Sequence, residues 1–95
     1  MPAVVTHHPQ ACRFEAHTPA GLALCSYRRQ GDVLVLHHTE VPPAMQGQGL
    51  AAALVAATLA WAREQGLRVR PVCSYVASYM RRHPETRDLL DPPAA

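Results

Sequence analysis

The chain has no lysine, and all nine of its basic residues are arginine. Charged residues make up only 17% of the 95 residues, and the formal net charge is +2. Such a weak balance does not by itself indicate a nucleic-acid or anionic-membrane partner. The absence of lysine also excludes the phosphate-binding loop of nucleotide hydrolases, which ends in Gly-Lys followed by Ser or Thr.

Cysteine and aromatic residues are also few. The three cysteines, Cys12, Cys25 and Cys73, are widely spaced, and no His or Cys pair has the spacing of a metal site. We therefore expect free thiols in a reducing cytoplasm, with no disulfide framework and no bound metal. The aromatic residues do not alternate with the arginines as stacking platforms would, so no nucleic-acid partner is expected.

Long hydrophobic runs are missing as well. The longest mostly apolar run, residues 50–62, is too short to cross a bilayer. The first ten residues lack the basic and apolar segments of a secretory signal, so no membrane partner is expected. Apolar residues still amount to 48%, which is enough for one core in a single domain over residues 1–95.

Alternating apolar residues and turn signals predict four strands. They are expected at residues 12–18, 22–29, 33–41 and 67–73. The four apolar residues that begin the third strand favour a central position covered on both faces. We expect Cys12 and Cys25 in the strand core, whereas His7 and His8 are expected in a mobile terminus.

Residues 50–65 form the strongest predicted helix, because seven alanines favour helix and larger apolar residues recur on one face. Gly66 stands where a helix-ending glycine belongs. This helix makes the third and fourth strands parallel through a right-handed crossover. A short helix at 74–83, a turn or helix at 84–90 and a tail from residue 91 complete an α/β fold with a mixed sheet.

The segment QGQGLA, residues 46–51, leads into that helix without Ser, Thr, Asp or Asn at its start. The first helical N–H groups therefore have no side-chain acceptor, and the helix dipole favours an anion there. The Gly-x-Gly pattern matches the dinucleotide fingerprint only in part. The residues alone leave two interpretations open, a phosphate-binding loop or a solvated glycine turn.

Residues 41–51, VPPAMQGQGLA, resemble the acetyl-CoA loop of GNAT-type N-acetyltransferases. That signature is Gln or Arg, two residues, Gly, one residue, then Gly or Ala, and here Gln46, Gly49 and Ala51 fill those places. The sequence also resembles a small subfamily of these enzymes, in which one compact domain is nearly the whole protein. The segments that carry this resemblance occur in the same order as in the subfamily, and they are HTEVP, GQGLA, PVCSY and YMRRHPE. The resemblance spans about residues 12–90 and implies a compact GNAT-like fold.

The resemblance also implies that acetyl-CoA binds at this loop. Its pyrophosphate would contact the backbone N–H groups of Gln46, Gly47, Gln48, Gly49, Leu50 and Ala51. The pantetheine arm would bond to the backbone near Val41 and enter the splay between the third and fourth strands, with the thioester directed toward Cys73. Arg81 and Arg82 are the candidate cations for the 3′-phosphate, or they form a solvated face.

Three roles are open for Cys73. It could take the acetyl group as a nucleophile, since the following helix and Arg70 could lower its pKa. It could instead line the thioester channel during direct transfer, or be an inert core residue.

Tyr79 falls where the resemblance places an acid for the departing CoA thiolate, and Tyr75 lies one helical turn before it. Either could instead be a packed aromatic residue. Attack by an amine requires its neutral form, so a proton acceptor is needed. His38 or Glu40 could serve, because period two places them on one face of the third strand and His37 on the other. Both could also be ordinary strand-end residues.

Compared with larger members of the family it resembles, the sequence is expected to form neither the two helices that follow their first strand nor their two further strands. The acceptor side is therefore expected to be open, which suits an amine on a protein or peptide. A partner chain could also supply the missing wall. The sequence predicts an acetyl-CoA-dependent N-acetyltransferase, a monomer or weak homodimer. The alternative is a non-catalytic module that carries or senses CoA or acetyl-CoA.

Overall fold

The computed structural model describes residues 4–93. Within them, one sheet has five strands in the order β1-β2-β3-β4-β5. The strands are β1 (Thr6–His8), β2 (Arg13–Thr18), β3 (Gly21–Gln30), β4 (Val33–Glu40) and β5 (Arg68–Pro71). The pairs from β1 to β4 are antiparallel, and β4 pairs with β5 in parallel. The predicted mixed sheet with one parallel pair is confirmed.

The helices also follow the sequence pattern. They are α1 (Leu50–Glu64) and α2 (Ser74–Arg82), with short 3-10 helices at Pro9–Ala11, Pro43–Met45 and Pro84–Leu89. Neither α1 nor α2 has the length and hydropathy needed to span a bilayer. At the end of α1, Gly66 takes a φ of 68°. The N–H of Leu67 then reaches the Ala62 carbonyl at 2.9 Å, which satisfies an otherwise orphaned helix carbonyl.

Both helices share one hydrophobic core with one face of the sheet. Its buried apolar members come from β2 to β5, α1, α2 and the last 3-10 helix: Phe14, Ala16, Ala23, Cys25, Tyr27, Leu34, Leu36, Leu50, Leu54, Val55, Leu59, Ala62, Leu67, Val69, Val76, Tyr79, Met80 and Leu89. Leu54 is fully buried, which stabilises the fold by about 1.5–3 kcal/mol relative to exposure. The molecule is only 19 Å along its shortest axis, the thickness of one sheet and one helix layer.

The opposite face of β4 is covered in a different way. Val35 is buried there, although it does not belong to the core that the helices share. Arg28 on β3 and Arg70 on β5 stand directly opposite it in the two ladders. The aliphatic stems of such arginines cover apolar neighbours while their guanidinium groups stay in water. The prediction of a central strand covered on both faces therefore holds, but side chains provide the second cover.

The expectation of a mobile terminus at His7 and His8 is wrong. These residues form β1 with Thr6, and the His7 ring stacks on Phe14 with 4.1 Å between ring centroids. His7 Nε2 lies 2.6 Å from the Tyr27 hydroxyl. These partners are distant in sequence, so no local alternation of apolar residues marks the strand.

Two further expectations are corrected. Cys12 is exposed and takes a positive φ of 55° before β2 begins, so it does not lie in the strand core, whereas Cys25 is fully buried there. Asp91 is not part of a loose tail. Its N–H donates to the Val69 carbonyl at 2.8 Å, and its carboxylate pairs with Arg70 at 2.6 Å. Residues 94 and 95 of the predicted tail lie outside the described residues.

The half-buried position of His7 makes stability depend on pH. Burial, and secondarily the neighbouring His8, lower the pKa of His7 below its ordinary value. The folded state therefore disfavours the protonated ring, and stability present above about pH 6.5 is lost as the pH falls toward the lowered pKa. We expect His7→Phe, which keeps the stacking and cannot titrate, to flatten the decline in unfolding free energy between about pH 7 and 5.

Urea unfolding at a series of pH values measures this slope. His37→Gln is the control, because His37 forms no ion pair and no aromatic contact among residues 4–93. An unchanged slope in His7→Phe would show that other groups cause the acid sensitivity.

Candidate functional site

The parallel ladder between β4 and β5 ends early. Its last register pair is Leu36 with Pro71. The next two N–H groups, of Val72 and Cys73, both donate to the Leu36 carbonyl, at 3.0 and 2.9 Å. The chain turns away into α2 at this point, while β4 continues to Glu40. The two strands therefore separate, and β5 leaves the edge of β4 beyond Leu36 unpaired.

A cavity of about 430 Å³ lies beside this splay. Its volume falls in the range of small-molecule sites. Its walls come from the end of β4, the following loop, the first turn of α1 and one side of α2: Thr39, Val41, Met45, Gln46, Gly47, Gly49, Leu50, Ala51, Ala52, Tyr75 and Arg82. The structure thus brings most of the predicted loop residues to one cavity. Gln48, the exception, does not line it.

The start of α1 has the uncapped geometry that the sequence predicts. Gly49 is its N-cap residue with φ 80°, and no side chain bonds to the first turn. Gly47 also has a positive φ, of 81°. None of the hydrogen bonds found among residues 4–93 uses the N–H groups of Gly47, Gln48 and Gly49 as donors. A Cβ at Gly47 or Gly49 would meet nothing within 4 Å, so the space in front of the loop is open.

The side chain of Gln46 steadies the loop. Its Nε2 donates to the Val41 carbonyl at 3.2 Å, which ties the end of β4 to the glycine segment. The Val41 carbonyl keeps a second lone pair, so it can still accept a hydrogen bond from a ligand.

The two candidate cations differ in position. Arg82 lines the cavity and forms no ion pair with a carboxylate of the described residues. Arg81 does not line the cavity. Its backbone carbonyl accepts a hydrogen bond from the Arg87 side chain at 2.9 Å. Only Arg82 therefore faces the site.

Cys73 stands at the N-cap of α2, half-buried beside the splay. Its Sγ lies 3.6 Å from Oγ1 of Thr39. Burial alone would raise its pKa, but the N–H of Val76, the Thr39 hydroxyl and the N–H of Tyr75 outweigh burial, and the pKa is lowered. The N–H groups act as oriented dipoles, because neither completes a cap hydrogen bond with the sulfur. Cys73 therefore ionises more readily than an unperturbed cysteine.

The expected help from Arg70 is absent. Its guanidinium pairs with Asp91, and it is not among the groups that act on the Cys73 pKa. The backbone dipoles and the Thr39 hydroxyl take the role that the sequence had suggested for Arg70.

A β-bulge decides which side chains meet Cys73. In the β3–β4 ladder, Tyr27 is opposite Leu36, but Ser26 is opposite His38, so His37 is an extra residue. Residues directly opposite each other share a face, and Ser26 and Tyr27 face opposite ways. His38 is therefore on the face opposite to Leu36, and Thr39 is turned to the helix-covered face.

His38 and Glu40 do share a face, as period two predicts. His38 Nε2 lies 3.3 Å from Glu40 Oε1, and both side chains are more than half exposed. They do not line the cavity and lie on the sheet face that the helices leave open. The structure therefore separates this pair from Thr39 by the thickness of one strand.

Tyr79 is placed away from the cavity. It is buried, and its ring stacks on His83 at 4.0 Å. Burial, followed by the charge of Glu85, raises its pKa. It lines a smaller cavity of about 180 Å³ against α1, whereas Tyr75 lines the main one. Of the two tyrosines considered, the structure brings Tyr75 to the site.

Sequence reasoning missed three residues of the cavity wall, Thr39, Met45 and Ala52, and of these Thr39 contacts Cys73. The strand-end position of Thr39 carries no signal by itself, since the bulge that turns it inward comes from the pairing of two strands.

Comparison with known proteins agrees with this geometry. The family model for GCN5-related N-acetyl-transferases matches residues 13–89. Protein NATD1 of Homo sapiens is 36% identical over 63 residues, which cover 65% of this chain and 56% of that protein. The Gallus gallus protein of the same name is equally similar and is covered to 57%. The chain thus spans less than two thirds of the length of these relatives.

A solved structure shows the same fold. The NMR structure of a GCN5-like protein from Staphylococcus aureus matches with a TM-score of 0.75 at 22% identity, over 93% of this chain and 87% of that chain. The family match covers most of the chain, from β2 to the last 3-10 helix. The chain belongs to the GCN5-related N-acetyltransferases.

Proposed function

We propose that this chain transfers the acetyl group of acetyl-CoA to an exposed amine of a protein or peptide. One observation carries the proposal: the uncapped N-terminus of α1 opens into the cavity beside the β4–β5 splay. A helix N-terminus stabilises a negative charge by about 0.3–1 kcal/mol, and by up to about 2 kcal/mol when partly buried. The pyrophosphate of acetyl-CoA is an anion suited to such N–H groups.

Other groups around the cavity suit the rest of the molecule. Arg82 supplies a cation for the 3′-phosphate. The edge of β4 beyond Leu36 offers backbone groups that β5 does not use. An extended, amide-containing arm pairs with such an edge much as an added strand does. The arm then passes the Thr39 hydroxyl and ends near Cys73.

In this proposal Cys73 takes the acetyl group first. Its thiolate sulfur attacks the thioester carbonyl, a new carbon–sulfur bond forms and the bond to CoA sulfur breaks. The released thiolate takes a proton, for which the Tyr75 hydroxyl in the cavity wall is the candidate donor. A neutral amine then attacks acetyl-Cys73, and the cysteine thiolate is released. His38 or Glu40, which lie together on the open sheet face, accepts the proton that the amine loses.

The open sheet face supports the choice of acceptor. His38 and Glu40 lie on the face that neither helix covers. A small molecule would find little enclosure there, whereas an amine presented by a larger molecule needs none. The acceptor therefore enters opposite the cavity, and the acetyl group crosses the sheet at the splay.

The anion site can be tested by adding one negative charge. Ala51 lies in the first turn of α1 and lines the cavity, whereas the exposed Ala53 does not line it. We expect Ala51→Asp to weaken acetyl-CoA binding at least about tenfold by repelling the pyrophosphate. It should leave the thermal midpoint equal or higher, because an acidic residue in the first turn favours the helix.

Isothermal titration calorimetry with acetyl-CoA and a thermal melt measure both effects. Ala53→Asp is the matched control, with the same charge on the same helix and an expected affinity within about threefold of wild type. If Ala51→Asp bound acetyl-CoA with wild-type affinity, the loop would not bind the pyrophosphate and would be only a solvated glycine turn.

The role of Arg82 can be tested by changing the ligand as well as by changing the residue. Arg82→Gln should weaken binding of acetyl-CoA by about five- to twentyfold, the loss of one charge-assisted contact. Binding of the 3′-dephospho analogue should not change, because that analogue lacks the phosphate that the arginine would contact.

The neighbouring Arg81→Gln makes the same charge change outside the cavity and should bind both ligands like wild type. Equal losses for the two ligands would point to general electrostatic attraction rather than a phosphate contact at Arg82.

Intact-mass spectrometry after incubation with acetyl-CoA tests the covalent step. We expect one acetyl group on the wild-type protein, removable by hydroxylamine, and none on Cys73→Ala. Cys12→Ser is the control and should label normally, since Cys12 is exposed and outside the site. Binding without labelling would favour direct transfer or a CoA-binding carrier or sensor. Acetylation of a panel of amines then separates these two.

A further inference from the structure

We propose that Thr39 is a positioning residue, whose hydroxyl donates a hydrogen bond to the Cys73 sulfur and holds that sulfur beside the cavity. This assignment rests on the proposed function in one respect only, namely that the proposed function gives Cys73 its chemical role. The contact itself, 3.6 Å between Oγ1 and Sγ, is a property of the fold.

Both partners of this contact are anchored to the same strand. The bulge at His37 turns Thr39 toward the helix-covered face, where it lines the cavity. The N–H of Cys73 donates to the Leu36 carbonyl at 2.9 Å, which fixes the cysteine backbone against β4. A contact between residues 34 positions apart is therefore set by two backbone features close to each other in space.

The direction of the hydrogen bond follows from the available protons. The Thr39 hydroxyl carries one proton, and a thiolate can only accept. Cys25 stands directly opposite Thr39 in the β3–β4 ladder and is fully buried. Burial raises the pKa of Cys25, which disfavours its thiolate and makes it the weaker acceptor. The hydroxyl proton is thus better used on Cys73, whose pKa is lowered.

The same geometry gives the two cysteines different reactivity. Cys25 and Cys73 both lie near Thr39, but only Cys73 also faces the first N–H groups of α2. We therefore expect reagents for thiolates to modify Cys73 and to leave Cys25 unmodified while the protein is folded.

The test measures alkylation of Cys73 by iodoacetamide as a function of pH, in a Cys12→Ser background, with peptide mass spectrometry to identify the site. Thr39→Val keeps the shape of the side chain and removes the hydroxyl. We expect its alkylation midpoint to rise by about half to one pH unit, so that the rate at pH 7 falls about three- to tenfold. Thr39→Ser keeps the hydroxyl and should retain the wild-type midpoint.

Thermal melts of each variant show whether it is folded, and Thr39→Ala serves as a second hydroxyl-free variant if the valine destabilises the strand. A merely structural role would lower the melting temperature without moving the alkylation midpoint. A wild-type midpoint in folded Thr39→Val or Thr39→Ala, or a midpoint raised equally in Thr39→Ser, would overturn the assignment.

This outcome is independent of the proposed function, because alkylation uses no CoA. A raised midpoint in Thr39→Val in a protein that does not bind acetyl-CoA would support the contact and remove the proposed activity. Acetylation of Cys73 with an unchanged midpoint in Thr39→Val would support the activity and remove the role of Thr39.

Discussion

The break in β4 at Leu36 and His37 is the constraint on which the site depends. The Leu36 carbonyl accepts the N–H groups of both Val72 and Cys73, which ends the parallel ladder and starts the turn into α2. The bulge at the next residue then reverses the faces of the remaining strand. One strand thereby presents Thr39 to the cavity and His38 to the open side. Without the bulge, His38 would be directed at the core and Thr39 at solvent.

Helix α1 links the core to the cavity. Leu50 and Leu54 are buried against the sheet and fix the position of the first turn. Ala51 and Gly49, between and before them, line the cavity. Ala51 has only a methyl group and Gly49 has no side chain, so the N–H groups of the first turn stay accessible to a ligand. The packing of one helix therefore determines where the proposed anion site lies.

The parts predicted from sequence are those with local causes. The helix propensity of the alanines predicted α1, and Gly66 predicted its end. The absence of a capping residue predicted the open loop before the helix. The missed parts have causes in distant residues. The strand β1 depends on the stacking of His7 on Phe14, and the inward turn of Thr39 depends on how β4 pairs with β3. Periodicity paired His38 with Glu40 correctly, but it could not tell which face they take.

The placement of the acidic groups bears on how an amine would approach. Glu15 lies on the open sheet face, but its carboxylate is held by Arg13, and His8 and His17 lie 3.2 and 3.4 Å away. The hydrogen bond from Arg13 is the main reason that its pKa is lowered. Glu40, by contrast, has His38 as its neighbour and stays exposed at the end of β4. In the proposed reaction, a cationic amine that reaches this face would meet the Glu40 carboxylate at the end of β4, close to the splay where the acetyl group would be transferred.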